Sequence, residues 1–373
     1  MPHSMQAHFS SITDKRQLSK IEHPLVDIII LCICGVVCGA DGWSDIEVFG
    51  RTHKDWLQGK GLLPKGIPVD DTIARVMSSL APQECQSSFI SWVNSLSEVT
   101  QGEVVAIDGK TLRHSFDKKS QKSAIHMVSA FASENGVVLG QIKTEEKSNE
   151  ITAIPALLDL LDIKGCIITI DAMGCQKKIT KKVISVGADY VIAIKGNQKT
   201  LFEDTKYFFH EAEAHNFKHV THDYFEEIDK AHGRIEIRRY WITPHLECVA
   251  KSESWAGLQC IGMAENETFK NGKTTIDRRY FIVSLSADAK VFAKAVRRHW
   301  GIENSLHWLL DMSFREDDSR IRKENGAEIF AVVRHSALNL LKKEKSHKRG
   351  IKGKRYKAAL DIEYAEKVLS PLF

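Results

Sequence analysis

Three acidic residues stand where buried elements would hold them rigidly. Asp108 closes the apolar run VVAID, Asp171 closes the run CIITID, and Glu303 lies in the Trp-rich segment RRHWGIENSLHW. Fixed carboxylates are the ligands that hard divalent cations prefer, and a pair of such ions can promote phosphoryl transfer. The three residues therefore predict one divalent-metal site suited to cutting and joining a phosphodiester backbone.

Both aspartates also have a plain structural explanation. The pair Asp108-Gly109 is typical of a hairpin turn, and the glycine predicts that the chain turns directly after the carboxylate. Asp171 could cap the helix that begins near Gly174. Against this, Asp171 ends the most uniformly apolar run of the chain, as expected for a central strand, and ligands of open α/β sheets gather at the carboxyl ends of strands.

The helical pattern around Glu303 leaves the third ligand open. Glu303 lies on one predicted helix face with the polar residues His299, His307 and Asp311, which could equally form a solvated row. Further acids follow in the segment FREDDSRIR and are rivals for the same role: Glu316, Asp317 and Asp318.

The periodicity of the chain predicts an α/β fold. From Gly102 three β-rich runs are followed by a helix (ITAIPALLDLLDI), the strand CIITID, a helix (GCQKKITKKVISVGA) and the strand YVIAIKGN. This is the element order of an RNase-H-like core. After a polar helix that ends near residue 215, strand-like patterns return, which predicts a β-rich insertion over about 217–285.

The chain before this core is predicted to be a small all-helical domain, residues 1–98. Short apolar-periodic segments alternate there with Gly and Pro turns, and Pro82 is placed to begin a helix. Such a bundle is compatible with a helix-turn-helix DNA reader, but the pattern names no recognition helix. The catalytic domain is then predicted to span residues 99–333.

In their order, spacing and local sequence, the three acidic segments resemble those of the DDE transposases of bacterial insertion sequences, specifically the H-repeat-associated, ISAs-type family. The resemblance runs over essentially the whole chain. It implies that Asp108, Asp171 and Glu303 are both catalytic residues and ligands of two Mg²⁺ or Mn²⁺ ions. It also implies binding of double-stranded DNA, namely terminal inverted repeats and target DNA, by a homodimer. The chain departs from the wider superfamily's Tyr, Arg, Glu, Lys signature, because Leu310 stands where the lysine would be.

Several polar residues near these motifs are candidates for DNA contacts. They lie in the helix after Asp171, in the motifs KGNQ and HGRIEIRR, and around Glu303: Lys177, Lys178, Lys195, Asn197, His232, Arg234, Arg298 and His307. The alternative for the lysines is a solvated basic face, and for the two motifs a turn with satisfied polar groups. Trp241 or Trp255 could stack on an extruded base, although a tryptophan in a β region is usually core.

Positive charge is concentrated at the end of the chain. Residues 334–373 contain eleven Lys or Arg against four Asp or Glu, although the net charge of the whole chain is only +4. The segment is predicted to be a basic C-terminal tail. It could bind a phosphate backbone or be a solvated, frayed end, and both interpretations stay open.

The cysteines and the apolar segments indicate a cytoplasmic protein. Eight cysteines occur without a CxxC pair, which argues for reduced thiols and against structural zinc. The strongest apolar run, Ile28 to Ala40, is too short to cross a bilayer. We therefore expect a cytoplasmic, nucleoid-associated bacterial protein without a membrane partner.

Two other functions remain compatible with these residues. One is a catalytically inactive DNA-binding remnant of a transposase, which can keep the acids for some time. The other is a stand-alone RNase-H-like nuclease, which would leave the helical domain and the β insertion without a role.

Overall fold

A nine-stranded mixed sheet forms the centre of the protein. The computed structural model describes residues 4–96, 100–116, 123–144, 150–231 and 233–373. Within them the strands follow the order β3-β2-β1-β4-β5-β9-β8-β7-β6. β1, β4 and β5 are parallel, and the other neighbours pair antiparallel. The strands are β1 (Val104–Thr111), β2 (His126–Ala132), β3 (Val137–Lys143), β4 (Ile167–Ile170), β5 (Asp189–Ile194), β6 (Asp223–Ala231), β7 (Arg234–Thr243), β8 (Cys260–Lys270) and β9 (Lys273–Val283).

The described part of the chain contains fourteen α-helices, and several of them pack against the sheet. The helices that precede and flank the parallel strands are α1 (Met5–Phe9), α2 (Leu25–Val37), α3 (Trp43–Thr52), α4 (Lys54–Gly59), α5 (Asp70–Ser78), α6 (Pro82–Leu96), α7 (Glu150–Leu160), α8 (Lys177–Ser185) and α9 (Lys199–Ala214). Those after β9 are α10 (Ala289–His299), α11 (Trp308–Phe314), α12 (Gly326–Lys343), α13 (Ile351–Leu360) and α14 (Ile362–Leu369). No helix among the described residues is long and apolar enough to span a membrane.

The predicted elements of the parallel half are confirmed. The three β-rich runs are β1 to β3, the apolar strands are β4 and β5, and helices α7 and α8 connect them as the periodicity predicts. β4 is buried along all four residues, because the sheet is covered on both faces. The fold is therefore a mixed α/β fold built on one large sheet.

The predicted insertion consists of strands and extends the same sheet. Two antiparallel hairpins, β6-β7 and β8-β9, join the parallel half where β9 pairs with β5. Helix α10 then packs across one face of the sheet, against β1, β4, β6 and β7. Its apolar side chains, among them Phe292 and Val296, form a second core there with Val104, Ile167 and Tyr240. The insertion and the parallel strands thus share one helix.

The helices at the two ends of the chain pack together. Helix α12 is buried along nearly its whole length, and it packs against α2, α5 and α6. The main hydrophobic core accordingly runs from Met5 to Leu372 and crosses the predicted boundaries at residues 98 and 333. The N-terminal residues are helical, as predicted, and share their core with the rest of the chain.

Residues 334–373 form packed helices, and the prediction of a tail is wrong. Arg355 is buried, and its guanidinium donates hydrogen bonds to the carbonyl oxygens of Val36 and Ala40, both at 3.0 Å, and to that of Ser313. The Lys354 ammonium donates to the carbonyl of Leu341 at 2.8 Å. Charge counting predicted a tail because the sequence does not show that some cations neutralise the carbonyl ends of helices and loops inside the protein.

We expect the last helix to be required for stability. Leu369 on α14 is fully buried, so Leu369→Ala should lower the free energy of unfolding by about 2–5 kcal/mol. The matched control is Leu360→Ala on α13, because Leu360 is 70% exposed and should change stability by less than about 0.5 kcal/mol. Urea unfolding followed by circular dichroism measures both. If Leu369→Ala lowers the free energy of unfolding no more than this small amount, the segment is not part of the folding unit.

Candidate active site

Asp108, Asp171 and Glu303 line one cavity of about 250 Å³. β1 and β4 are parallel neighbours with Ile107 opposite Ile170, so the two aspartates follow at the same level of the sheet. Glu303 approaches from the helical layer that follows α10. The structure therefore brings together the three acids that the sequence singled out.

The prediction of a turn after Asp108 is wrong. β1 continues to Thr111, and Gly109 pairs with Val128 inside the sheet. The glycine serves to leave space, because a Cβ at this position would lie 2.1 Å from Glu150 Oε1 and 2.4 Å from His126 Nε2. These two side chains form an ion-pair contact of 2.7 Å beside Asp108.

Asp171 performs the capping role that its position predicted, and lines the cavity as well. Its Oδ1 accepts hydrogen bonds from the backbone N–H groups of Met173, at 2.9 Å, and Gly174, at 3.3 Å. They belong to a short 3₁₀ turn, Ala172–Gly174. Neither bond uses Oδ2, so capping fixes the carboxylate while one oxygen stays available to a ligand.

Glu303 begins a π-helical turn, Glu303–His307, that leads directly into α11. Such turns contain one more residue than an α-helical turn and are frequent at functional sites. The exposed Glu303 side chain lines the cavity. The predicted single helix face is interrupted here, because α10 ends at His299 and the π turn shifts the register of the residues that follow.

The other polar residues of that face each have a different partner. His299 Nδ1 is 3.1 Å from Thr169 Oγ1, and His307 Nδ1 is 3.6 Å from Asp108 Oδ2. Burial lowers the pKa of His307 to about 4, and the nearby Lys110 acts in the same direction, so the imidazole is neutral at pH 7. His307 therefore faces Asp108 as a neutral group.

The rival acids do not line the cavity. The carboxylates of Glu316 and Asp317 face Lys110, at 2.8 Å and 3.8 Å, and Asp318 pairs with Arg315 at 3.2 Å. Glu303 is thus the acid of this region that shares a cavity with both aspartates.

The cavity is short of positive charge beside Asp108. Burial raises the pKa of Asp108 to about 7; a hydrogen bond from the Gly109 N–H opposes this, while the carboxylates of Glu150, Asp171 and Glu303 raise the pKa further. In the described part of the chain, no group of three or more His, Cys, Asp or Glu side chains is arranged closely enough to hold a metal ion as it stands. The donor set nevertheless fits a hard cation chemically, because the site consists of carboxylates whose mutual repulsion a cation would relieve.

Two of the predicted DNA-contacting residues lie at the cavity. Lys195 is exposed on its wall, and His307 contacts Asp108. Asn197 is exposed as well, and its amide donates to the carbonyl of Ala172 at 2.7 Å and so braces the loop after Asp171.

The remaining candidates lie elsewhere. Lys177 and Lys178 are exposed on α8, Arg298 donates to the carbonyl of Ser133 at 3.3 Å, and Arg234 pairs with Glu236 at 3.0 Å in the insertion. His232 lies outside the described residues. The two tryptophans proposed for base stacking are core residues: Trp241 and Trp255.

Arg279 and Trp300 were missed by the sequence analysis. The Arg279 guanidinium lies 4.5 Å from the centre of the Trp300 ring. Both residues line the acidic cavity and also a neighbouring one of about 500 Å³ between α10 and the insertion strands. Trp300 lies in the segment quoted for Glu303 and could have been noted there. No pattern in the sequence pointed to Arg279, because only the pairing of β9 with β5 brings this residue to the site.

We expect Asp108 to make the stability of the metal-free protein depend on pH. The pKa of Asp108 is raised from 3.8 to about 7, so between these values the folded state keeps a proton that the unfolded state has lost. Stability should therefore fall as pH rises from about 4 to about 7, and Asp108→Asn should remove this contribution. The measurement is urea unfolding of both proteins across this range without divalent ions. Asp318→Asn, at a carboxylate whose side chain is 63% exposed, is the control and should keep the wild-type pH profile.

Comparison with known proteins identifies the family of the chain. Residues 100–340 match the family model described as a transposase DDE domain, and residues 6–93 match one described as DDE_Tnp_1-associated. The chain is 45% identical over 378 residues to the "H repeat-associated putative transposase YhhI" of Escherichia coli (strain K12), which covers 98% of this chain and 97% of that protein. It is 48% identical over 374 residues to the "Putative transposase YncI" of Escherichia coli O157:H7, covering 98% and 94%.

Among solved structures, a piggyBac transposase synaptic complex with hairpin DNA is similar with a TM-score of 0.45 and 12% identity, over 98% of this chain and 77% of that one. The family assignment rests on the sequence matches. Because one family model covers most of the chain and the relatives align along nearly its full length, the chain belongs to the DDE transposase family, and its relatives include H repeat-associated proteins.

Proposed function

We propose that the protein binds the terminal inverted repeats of its own insertion sequence, cleaves the DNA at these ends and joins them to target DNA. The observation that carries this proposal is the convergence of Asp108, Asp171 and Glu303, from three separate elements, on one cavity. A member of this family that had lost its chemistry would be under no constraint to keep the three carboxylates together.

We further propose that the five strands β1 to β5 form an RNase-H-like core. Their spatial order, β3-β2-β1-β4-β5, and the helices that follow β3 and β4 support it. In such a core the carboxylates lie where neighbouring parallel strands stop pairing with each other, and Asp108 and Asp171 directly follow the last residues that pair β1 with β4.

Asp108, Asp171 and Glu303 would hold Mg²⁺ or Mn²⁺, as two ions per site. When bound, such ions polarise a water or a DNA 3′-hydroxyl and stabilise the departing oxygen of an in-line displacement. The structure around the three acids would hold these ligands in position. Capping fixes Asp171, the strand fixes Asp108, and the π turn presents Glu303 from the helical layer that follows α10.

Cations on the cavity wall would orient the DNA backbone. Lys195 is exposed there, and Arg279 lies where the acidic cavity meets the larger one. A guanidinium or ammonium at this position can contact a phosphate next to the scissile bond without reading a base. Because an insertion sequence has two ends, we propose that two copies act together on bacterial DNA in the cytoplasm.

We expect Asp108→Asn and Glu303→Gln to abolish cleavage while end binding is nearly retained. Metal ligands act on the chemical step, whereas phosphate contacts determine affinity, so cleavage should fall at least about 100-fold. The measurement pairs Mg²⁺-dependent cleavage with a binding titration, on duplex DNA that carries the inverted repeats flanking the gene and on random duplex.

The control variant is Asp318→Asn, which removes an exposed rival acid outside the cavity and should cleave like the wild type. Binding without cleavage by the wild type would indicate an inactive remnant. Cleavage of random duplex as efficient as cleavage of the repeat would indicate a nuclease. Equal loss of binding and cleavage in Asp108→Asn would show that Asp108 has a structural role.

A further inference from the structure

A second group of acids lies close to the cavity, and a lysine side chain occupies its centre. Lys110 follows Asp108 by two residues on β1 and therefore projects from the same face of the strand. Its ammonium donates to Asp311 Oδ1 and, at 2.8 Å, to Glu316 Oε2, and Asp317 Oδ1 lies 3.8 Å away. Three carboxylates from α11 and the 3₁₀ turn that follows it thus surround one cation. We call Asp311, Glu316 and Asp317 the Lys110 group.

The Lys110 group is more deeply buried than most surface ion pairs. The side chain of Lys110 is 13% exposed, and that of Glu316 is 2% exposed. Three carboxylates around the ammonium favour its charged form. The next cations are farther away or more exposed, namely Arg334 at 3.9 Å from Glu316 and Arg113 at 3.2 Å from Asp317.

The two acidic groups are close neighbours. Asp108 and Lys110 project from the same face of β1, and His307, which contacts Asp108 at 3.6 Å, ends the turn directly before the helix α11 that carries Asp311. Carboxylate oxygens in both places have the ligand chemistry that a hard divalent cation prefers, so ligand type alone does not direct an ion to one of them.

We infer that Lys110 acts as a built-in cation that excludes divalent ions from the Lys110 group and so confines them to the cavity of Asp108, Asp171 and Glu303. The ammonium lies at contact distance from the oxygens that an incoming ion would need. This inference rests on the proposed metal site of the cavity. Lys110 is thus a residue that determines where metal binds, and it touches neither substrate nor the reacting atoms.

The test is the number of Mn²⁺ ions bound by the full-length protein without DNA, measured by electron paramagnetic resonance. Lys110→Met keeps most of the side-chain volume and removes the charge, so we expect one additional Mn²⁺ per chain. The additional ion should be lost again in the double variant Lys110→Met/Glu316→Gln. Lys110→Arg retains a cation and should bind as many ions as the wild type.

A folded Lys110→Met variant with the wild-type number of ions would overturn the inference, because the three carboxylates would then have taken up protons instead of a metal. If the variant does not fold without divalent ions, its thermal unfolding in a Mn²⁺ titration replaces the count. Recovery of the melting temperature by Mn²⁺, beyond any increase in the wild type, supports the inference, and no recovery overturns it.

Failure of the proposed function would be seen in other variants, those of the cavity itself. The ions bound by the wild type should disappear in Asp108→Asn and Glu303→Gln. If those variants bind as many ions as the wild type, the cavity is not the metal site, whatever Lys110→Met binds.

Discussion

The burial of Asp108 beside other carboxylates is the constraint on which the rest of the structure depends. Burial and the neighbouring acids hold the pKa of Asp108 near 7, so the fold carries an electrostatic cost at this site in the absence of a cation. Side chains that repel one another separate unless a rigid frame prevents it. Several features of the protein are explained as parts of that frame, and they lie outside the cavity.

Two of the three acids lie in segments that a neighbouring element braces. The loop after Asp171 is braced by the Asn197 amide, which donates to the Ala172 carbonyl. In the π turn that presents Glu303, the Ser305 carbonyl accepts a hydrogen bond at 2.7 Å from the half-buried Lys342 of helix α12. A π turn needs such partners, because its wider spacing disturbs the regular backbone ladder. The basic end of the chain thus contributes to the frame of the cavity.

The sequence predicted the elements and the acids because these depend on local patterns. Apolar runs ending in aspartate are strands when their neighbours pair with them, and β1 and β4 behave in this way. The role of Gly109 was mispredicted, because the clash that it avoids involves Glu150, which is distant in the sequence. The π turn was missed, because a single extra residue in a helix leaves the hydrophobic period nearly unchanged. The burial of Arg355 could not be read from charge, since it depends on carbonyl groups of α2 and α11.

The long separation between Asp171 and Glu303 has a structural explanation in the path of the chain. After β5, helix α9 leads to β6 at the far edge of the sheet. The two hairpins then bring the chain back to β9, which pairs with β5 and places Arg279 at the cavity. Helix α10 then begins at an Asp288 cap and crosses the sheet back to β1 and β4. Because α10 packs on insertion strands and catalytic strands alike, a shift of the insertion would move the start of the segment that carries Glu303. The insertion is therefore mechanically connected to the segment that carries the third acid of the cavity.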